Sequence, residues 1–154
     1  MTEIGFYHLT RLSLEQALPR LLDRTLTAGH RAVVMCRSAD RVAALDAGLW
    51  ECSEPDFLPH GTAADGDADL QPIWISQEDE PPPNGARFLF LVDGREAARV
   101  DAFGRVFDLF DGNNEASVQA ARERWKAAKS AGHDLTYWQQ GPGGWEKKAE
   151  SRAA

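Results

Sequence analysis

The stretch Arg31–Cys36 reads RAVVMC, and it is the apolar run around which the first third of the chain is arranged. Its β-branched residues follow a helix-stop signal at Gly29, a pattern that is typical of a strand buried on both faces. A leucine-rich pattern at helical spacing precedes it at 14–26, and an aromatic run lies before that, at Ile4–Leu9. A second helical pattern follows at Ala39–Trp50. The order strand–helix–strand–helix predicts parallel strands joined by right-handed crossovers.

Polar residues and a proline mark the ends of these predicted helices. Ser13 and Gln16 form a capping-box pattern, which predicts that the first helix begins directly after Ser13. Pro19 lies inside the leucine pattern, so we expect either a kink or a helix that begins near it. Ser38 is the expected cap of the second helix.

The second half of the chain adds short strands and one long helix. The predicted strands are Ile73–Ser76, Arg87–Val92 and Arg105–Phe110, with an edge strand or turn near Phe57–Gly61. The longest helix is predicted near 114–131. We therefore expect a three-layer α/β/α fold with a mostly parallel central sheet, Rossmann-like without a nucleotide-binding loop. It would form a single domain over residues 1–140, followed by a flexible tail over 141–154.

Composition places the chain among ordinary globular proteins. At 154 residues, with 43% hydrophobic and 27% charged residues, it is long enough for one domain with a real core. No apolar run reaches the ~20 residues that a membrane span needs, and the N-terminus lacks the layout of a signal peptide. We therefore expect a cytoplasmic protein, in which Cys36 and Cys52 are reduced thiols.

The charges are unevenly distributed along the chain. The formal net charge is −7, yet no Lys or Arg occurs from Val42 through Ala86, where Asp and Glu are frequent. An acidic protein is a poor partner for a nucleic-acid backbone, which favours a broad basic surface. A small basic patch on the C-terminal helix remains suited to an acidic peptide.

That basic patch lies in residues 119–132, which read QAARERWKAAKSAG. Arg122, Lys126 and Lys129 recur at helical spacing, and we call these three residues the basic ledge. Trp125 borders it. Fixed cations beside an apolar wall suit an acidic peptide with an apolar end. The alternative interpretation is a solvated cationic helix face above a packed tryptophan.

The motifs of common enzymes and cofactor sites are absent from the sequence. There is no G-x-G-x-x-G after the first strand, no P-loop and no G-x-S-x-G, so we expect no cofactor and no catalytic residue. The four histidines are scattered without paired metal-ligand spacing. A site built from Cys52, Asp56 and His60 is the single metal-binding alternative, and its spacing is not that of a zinc site.

A second apolar patch lies in the acidic middle of the chain. It consists of Leu49, Trp50, Phe57 and Leu58. Aromatic side chains with an acidic rim are typical of the centre of a protein–protein interface. The alternative is that the tryptophan only caps the core at a chain reversal.

Four segments together resemble the family of chi subunits of bacterial DNA polymerase III holoenzyme. They are Phe6-Tyr7, Leu45-Asp46-x-x-Leu49-Trp50, Phe57-x-Pro59-His60 and Ala121-Arg122-Glu123-Arg124-Trp125-Lys126. The resemblance in order and spacing extends from Phe6 to about Leu135. The family commonly has tyrosine where this chain has Trp125, and both residues offer a flat apolar face.

The resemblance implies a non-catalytic subunit with two protein partners. One is the C-terminal tail of the single-stranded-DNA-binding protein, an acidic stretch that ends in Pro-Phe, so that DNA is contacted only indirectly. The tail site would consist of Phe110, Arg122, Trp125 and Lys126, with Lys129 at its rim. The other partner is the psi subunit of the clamp-loader complex, whose contact surface would be the patch around Trp50 and Phe57.

Two other functions remain open from the residues alone. The first is a small nucleotide-dependent enzyme on an α/β fold, which the missing phosphate-binding loop disfavours. The second is direct nucleic-acid binding through the basic ledge, where an interleaved aromatic would permit base stacking. One ledge on an acidic protein is a poor track for a phosphate backbone, so we prefer the peptide-binding interpretation.

Overall fold

The computed structural model describes residues 2–51, 58–98 and 100–152, and within these ranges the chain forms a single eight-stranded sheet. The strands are β1 (Glu3–Leu9), β2 (Ala32–Met35), β3 (His60–Thr62), β4 (Ile73–Ser76), β5 (Phe88–Val92), β6 (Arg105–Asp111), β7 (Asp134–Gly141) and β8 (Gly144–Ser151). The helices are α1 (Leu14–Thr27), α2 (Ala39–Glu51) and α3 (Glu115–Ser130), with single 3₁₀ turns at Ala68–Leu70 and Val100–Ala102.

The sheet is mostly parallel, as the sequence predicts. Its strand order is β3-β4-β2-β5-β6-β1-β7-β8. Strands β1 to β7 pair in parallel, and β8 pairs antiparallel with β7 at the edge. Register pairs Leu9 of β1 with Asp111 of β6, so the carboxyl ends of these two strands meet at one edge of the sheet.

Helices cover both faces of this sheet, which confirms the predicted α/β class. Val34 of β2 packs in a core cluster with Leu18 of α1 and Leu45 of α2. The adjacent Val33 points to the other face and belongs to a second cluster, which includes Ala121 of α3. Because successive strand residues point to opposite faces, α1 and α2 form one layer and α3 forms the other.

Local signals set the helix ends. Gln16 Oε1 accepts a hydrogen bond from the backbone N–H of Ser13 at 3.0 Å, so the predicted capping box is present. Helix α1 begins at Leu14 and passes through the buried Pro19 rather than beginning near it. None of the helices in the described ranges is long and apolar enough to cross a membrane.

The predicted flexible tail over 141–154 is wrong for residues 144–151, which form strand β8. Trp145 packs edge-on against Tyr7, with ring centroids 5.0 Å apart, and so anchors the strand to β1. The other side chains of β8 are mostly charged and exposed, as is usual for an edge strand. The composition of β8 is that of a solvated tail. The segment is a strand because it pairs with β7.

Candidate functional site

Helix α3 carries the basic ledge, and its start is fixed by a local cap. Asn114 Oδ1 accepts a hydrogen bond from the backbone N–H of Ser117 at 3.0 Å. One turn further on, Ala121 is only 1% exposed and packs into the core cluster beneath the helix. A small buried residue allows the helix to lie close to the sheet, which leaves its long cationic side chains on the outer face.

The three residues of the basic ledge are all exposed. Lys126 Nζ lies 3.6 Å from Glu123 Oε1, an exposed ion pair of small energetic value. Within the described residues, neither Arg122 nor Lys129 has a carboxylate within 4 Å. Arg122 and Lys129 therefore present their charges to an incoming ligand without first having to break an ion pair.

A row of aromatic rings lies beside and beneath this ledge, and two of the rings are half-buried. The ring centroid of Trp125 lies 5.5 Å from that of Phe6 and 6.1 Å from that of Tyr137. Tyr137 in turn lies 6.0 Å from Phe110. Trp125 and Tyr137 are both half-buried, so each keeps part of a ring surface available at the foot of the ledge.

Phe110 does not line the surface as the sequence-based hypothesis places it. Its side chain is 3% exposed, and its ring lies 5.1 Å from that of His8. It packs beneath Tyr137 and supports the aromatic row from below. Phe110 is buried because it belongs to β6, where it pairs with His8 of β1 and packs into the second core cluster.

Tyr137 and His8 are the site residues that the sequence analysis missed. The Tyr137 hydroxyl lies 2.6 Å from His8 Nδ1, and His8 Nε2 lies 3.3 Å from the carbonyl oxygen of Gly112. Because a carbonyl only accepts, the proton lies on Nε2 and the tyrosine hydroxyl donates to Nδ1. Burial raises the pKa of Tyr137, and the nearby positive charge of Arg122 opposes that shift. The sequence signal that could have indicated Tyr137 is the aromatic run that follows the long helix.

Arg124, which lies between the ledge residues in sequence, is not part of the ledge. It donates from Nε to Asp108 Oδ2 at 2.6 Å and from Nη2 to Oδ1 at 2.9 Å. Both side chains are almost fully buried, at 11% and 4% exposure. Burial raises the pKa of Asp108, and the Arg124 guanidinium opposes that shift. The pair ties α3 to β6 and gives Arg124 a structural role.

The second predicted surface is only partly formed as expected. Trp50 is 60% exposed on α2, whereas Leu49 and Leu58 are buried at 5% and 1% and belong to the core. Phe57 lies outside the described residues. The Trp50 ring lies 4.7 Å from that of the buried His60, whose Nε2 faces Asp46 Oδ1 at 3.0 Å. Trp50 is therefore an accessible aromatic side chain next to the buried Leu49 and His60.

No cluster of three or more His, Cys, Asp or Glu residues suited to a metal ion occurs in the described ranges. The alternative metal site was predicted from Cys52, Asp56 and His60, and the first two of these residues lie outside the described ranges. His60 is held by Leu58, whose carbonyl oxygen lies 2.6 Å from its Nδ1.

Comparison with known proteins identifies the family. Residues 1–136 match the family described as "DNA polymerase III chi subunit, HolC". The chain is 27% identical over 123 residues to DNA polymerase III subunit chi of Escherichia coli strain K12, a match that covers 80% of this chain and 83% of that protein. It is 27% identical over 138 residues to the chi subunit of Pseudomonas aeruginosa, which covers 88% of this chain and 94% of that protein.

A third relative is the probable chi subunit of Rickettsia prowazekii, which is 26% identical over 100 residues. That match covers 65% of this chain and 60% of the length of the Rickettsia protein. The match at the family level extends over most of the chain, through all three helices and into β7. The chain therefore belongs to the DNA polymerase III chi subunit family.

Proposed function

We propose that this chain is a non-catalytic subunit that links the replicative DNA polymerase III to the single-stranded-DNA-binding protein. Its place as a subunit of DNA polymerase III follows from its family. The link would be made by the basic ledge, which would bind the acidic C-terminal tail of the DNA-binding protein. A second surface around Trp50 would hold a psi-like subunit of the clamp loader.

One observation carries the first part of this proposal. Arg122 and Lys129 are exposed and have no carboxylate partner in the described part of the chain, and they lie beside the half-buried rings of Trp125 and Tyr137. A surface tryptophan next to unpaired cations matches a ligand that combines an aromatic end with negative charge. Both rings also pack against the second core cluster, so peptide binding is what distinguishes this site from a solvated face above a packed tryptophan.

The expected binding mode follows from this arrangement. Arg122 would hold the terminal carboxylate of the tail through charge-assisted hydrogen bonds, since its guanidinium matches carboxylate geometry. The C-terminal phenylalanine ring would lie against Trp125 and Tyr137, with the buried Phe110 as the floor beneath. Lys126 and Lys129 would interact with the acidic residues upstream. A single helix face gives a small interface, so the affinity should be about micromolar and should weaken as salt rises.

A peptide titration tests the proposal. The probe is a fluorescent peptide with several acidic residues and a C-terminal Pro-Phe, titrated with the full chain by fluorescence anisotropy. Arg122→Ala should weaken binding roughly thirtyfold, or about 2 kcal/mol, if the arginine holds the carboxylate. Arg20→Ala is the matched control, because Arg20 is an exposed arginine on α1 in the opposite layer. An equal loss of peptide affinity in both variants would show that only the net charge of the protein matters, and it would contradict a specific site.

A further inference from the structure

A large cleft opens where the carboxyl ends of β1 and β6 meet. Its volume is about 1150 Å³. The two strands are parallel neighbours, yet α1 leaves β1 toward one face of the sheet and α3 leaves β6 toward the other. The loops therefore diverge and leave a crevice between them. In open parallel sheets, this is the position at which ligands characteristically bind.

The loop after β1 cannot itself hold a phosphate group, because its donors are already used. The backbone N–H groups of Thr10, Arg11 and Leu12 all donate to Oε1 of Gln140, at 3.0, 2.9 and 2.9 Å. Three successive N–H groups that point at one oxygen form the kind of concavity that binds anions elsewhere. Here a side chain of β7 fills it. An anionic ligand in the cleft must therefore be held by side chains.

Two guanidinium groups converge on one point of the cleft wall, at Gly94. A Cβ atom built on Gly94 would lie 3.6 Å from Arg37 Nη1 and 3.7 Å from Arg124 Nη1. The two nitrogens therefore lie within about 7 Å of each other, a separation that one phosphate group can bridge. Gly94 has a φ of 76°, a left-handed conformation that favours glycine, so no side chain occupies this space.

Both guanidinium groups have unused donors. Arg124 engages Asp108 through Nε and Nη2, which leaves Nη1 on the side of Gly94. Arg37 follows β2 and is exposed, and it makes no hydrogen bond or ion pair with any described residue. A planar guanidinium with free donors is the side chain best suited to phosphate recognition.

Acidic and basic residues both line the cleft, and much of this charge is neutralised internally. Arg41 lies 2.7 Å from a carboxylate oxygen of Glu15 and 2.6 Å from one of Asp93. Lining residues without an ion-pair partner in the described ranges are Arg11, Arg37, Asp111 and Glu96. In the rest of the lining, Arg11 and Arg41 are outnumbered by five carboxylates, so the lining outside the two converging arginines carries an excess of negative charge. Such a lining repels a polyanion and confines an anionic group to the point between Arg37 and Arg124.

We propose that this cleft binds a nucleoside phosphate, with its phosphate held between Arg37 and Arg124. The nucleoside would lie toward the β1–α1 and β6–α3 loops, beside the exposed Ala116 and Ala120 of α3. The cleft uses the face of α3 that carries Ala116 and Ala120, whereas the basic ledge lies on another face of that helix. The two sites are connected only through the exposed ion pair of Glu123 and Lys126, which has small energetic value, so we expect nucleotide binding to leave tail binding unchanged.

Isothermal titration calorimetry of the full chain tests this site with three probes: ADP, adenosine and pyrophosphate. We expect ADP to bind at least about tenfold more tightly than adenosine, since the phosphate contributes charge-assisted bonds to two guanidinium groups. ADP should also bind more tightly than pyrophosphate, because the nucleoside adds contact area. Equal binding of ADP and adenosine, or no ADP heat, would overturn the proposal. Pyrophosphate binding as tight as that of ADP would contradict the nucleoside part.

Arg37→Gln is the informative variant, because Arg37 is exposed and has no structural partner among the described residues. This substitution should weaken ADP binding about tenfold and leave the affinity for the acidic Pro-Phe peptide unchanged. Arg20→Gln, on α1 and away from the cleft lining, should change neither. Unchanged ADP binding in Arg37→Gln would contradict the assigned phosphate position. Loss of peptide binding in that variant would contradict the independence of the two sites.

Discussion

Arg122 and Arg124 are two positions apart on α3 and have different tasks. Arg122 is exposed and available to a ligand, whereas Arg124 is buried against Asp108 with two hydrogen bonds. Helical spacing predicts correctly that Arg122 lies on the outer face beside Trp125. It does not predict the Arg124 contact, because Asp108 lies on a strand and its approach depends on how the helix docks.

Removal of Arg124 should destabilise the fold in a pH-dependent way. Arg124→Ala leaves a buried carboxylate without its partner, so we expect a loss of about 3–5 kcal/mol of unfolding free energy near neutral pH. Burial already raises the pKa of Asp108, and loss of the opposing guanidinium raises it further. The folded state then binds the proton more tightly than the unfolded state, so the stability of the variant relative to the parent recovers as pH falls.

Urea denaturation at pH 7.5 and pH 5 measures this effect, with Arg122→Ala as the control. Arg122→Ala should change the unfolding free energy by less than about 0.5 kcal/mol, because its side chain is exposed and unpaired in the described structure. An equal deficit of Arg124→Ala at both pH values would show that the carboxylate of Asp108 is not the cause.

The β7–β8 hairpin connects the C-terminal part of the chain to the rest of the fold. Strand β7 pairs with β1, and Gln140 on β7 accepts three hydrogen bonds from the loop that follows β1. Buried strands such as RFLFLV and long helices with clear caps were predictable, because their own residues carry the signal. Strand β8 was not, because its pairing depends on an edge that only the folded sheet provides.

Gln140→Ala should loosen the loop after β1. Three backbone N–H groups would lose their acceptor, so the amides of Thr10, Arg11 and Leu12 should exchange with solvent faster, and stability should fall by about 1–2 kcal/mol. Hydrogen exchange of that segment is the measurement. Gln140→Glu keeps an acceptor oxygen in the same place and should preserve most of the protection. Unchanged exchange in Gln140→Ala would mean that these hydrogen bonds do not hold the loop.

The two proposed surfaces lie on opposite sides of the sheet. Trp50 projects from α2 in one helical layer, and the basic ledge lies on α3 in the other. The sequence indicated both sets of residues, whereas the layer to which each helix belongs follows from the crossovers of the folded sheet. A molecule with two remote surfaces can hold two partners at once.

Trp50→Ala should therefore remove one partner and spare the other. We expect the tagged variant, purified from its native host, to lose the proposed psi-like partner while its affinity for the acidic Pro-Phe peptide is unchanged. Leu70→Ala is the matched control, because Leu70 is the other large hydrophobic side chain of the described residues that is highly exposed, at 67%. Loss of peptide binding in Trp50→Ala, or equal loss of the partner in Leu70→Ala, would contradict two separate surfaces.

The basic ledge, as we propose, recognises a C-terminal phenylalanine behind acidic residues. The direct measurement is the ratio of two dissociation constants, for an acidic peptide that ends in Pro-Phe and for the same peptide without the phenylalanine. A ring against Trp125 and Tyr137 and a carboxylate on Arg122 predict a ratio of at least about tenfold, which Arg122→Ala should reduce. Equal binding of both peptides to the folded chain would contradict the claim and leave the ledge as a solvated helix face.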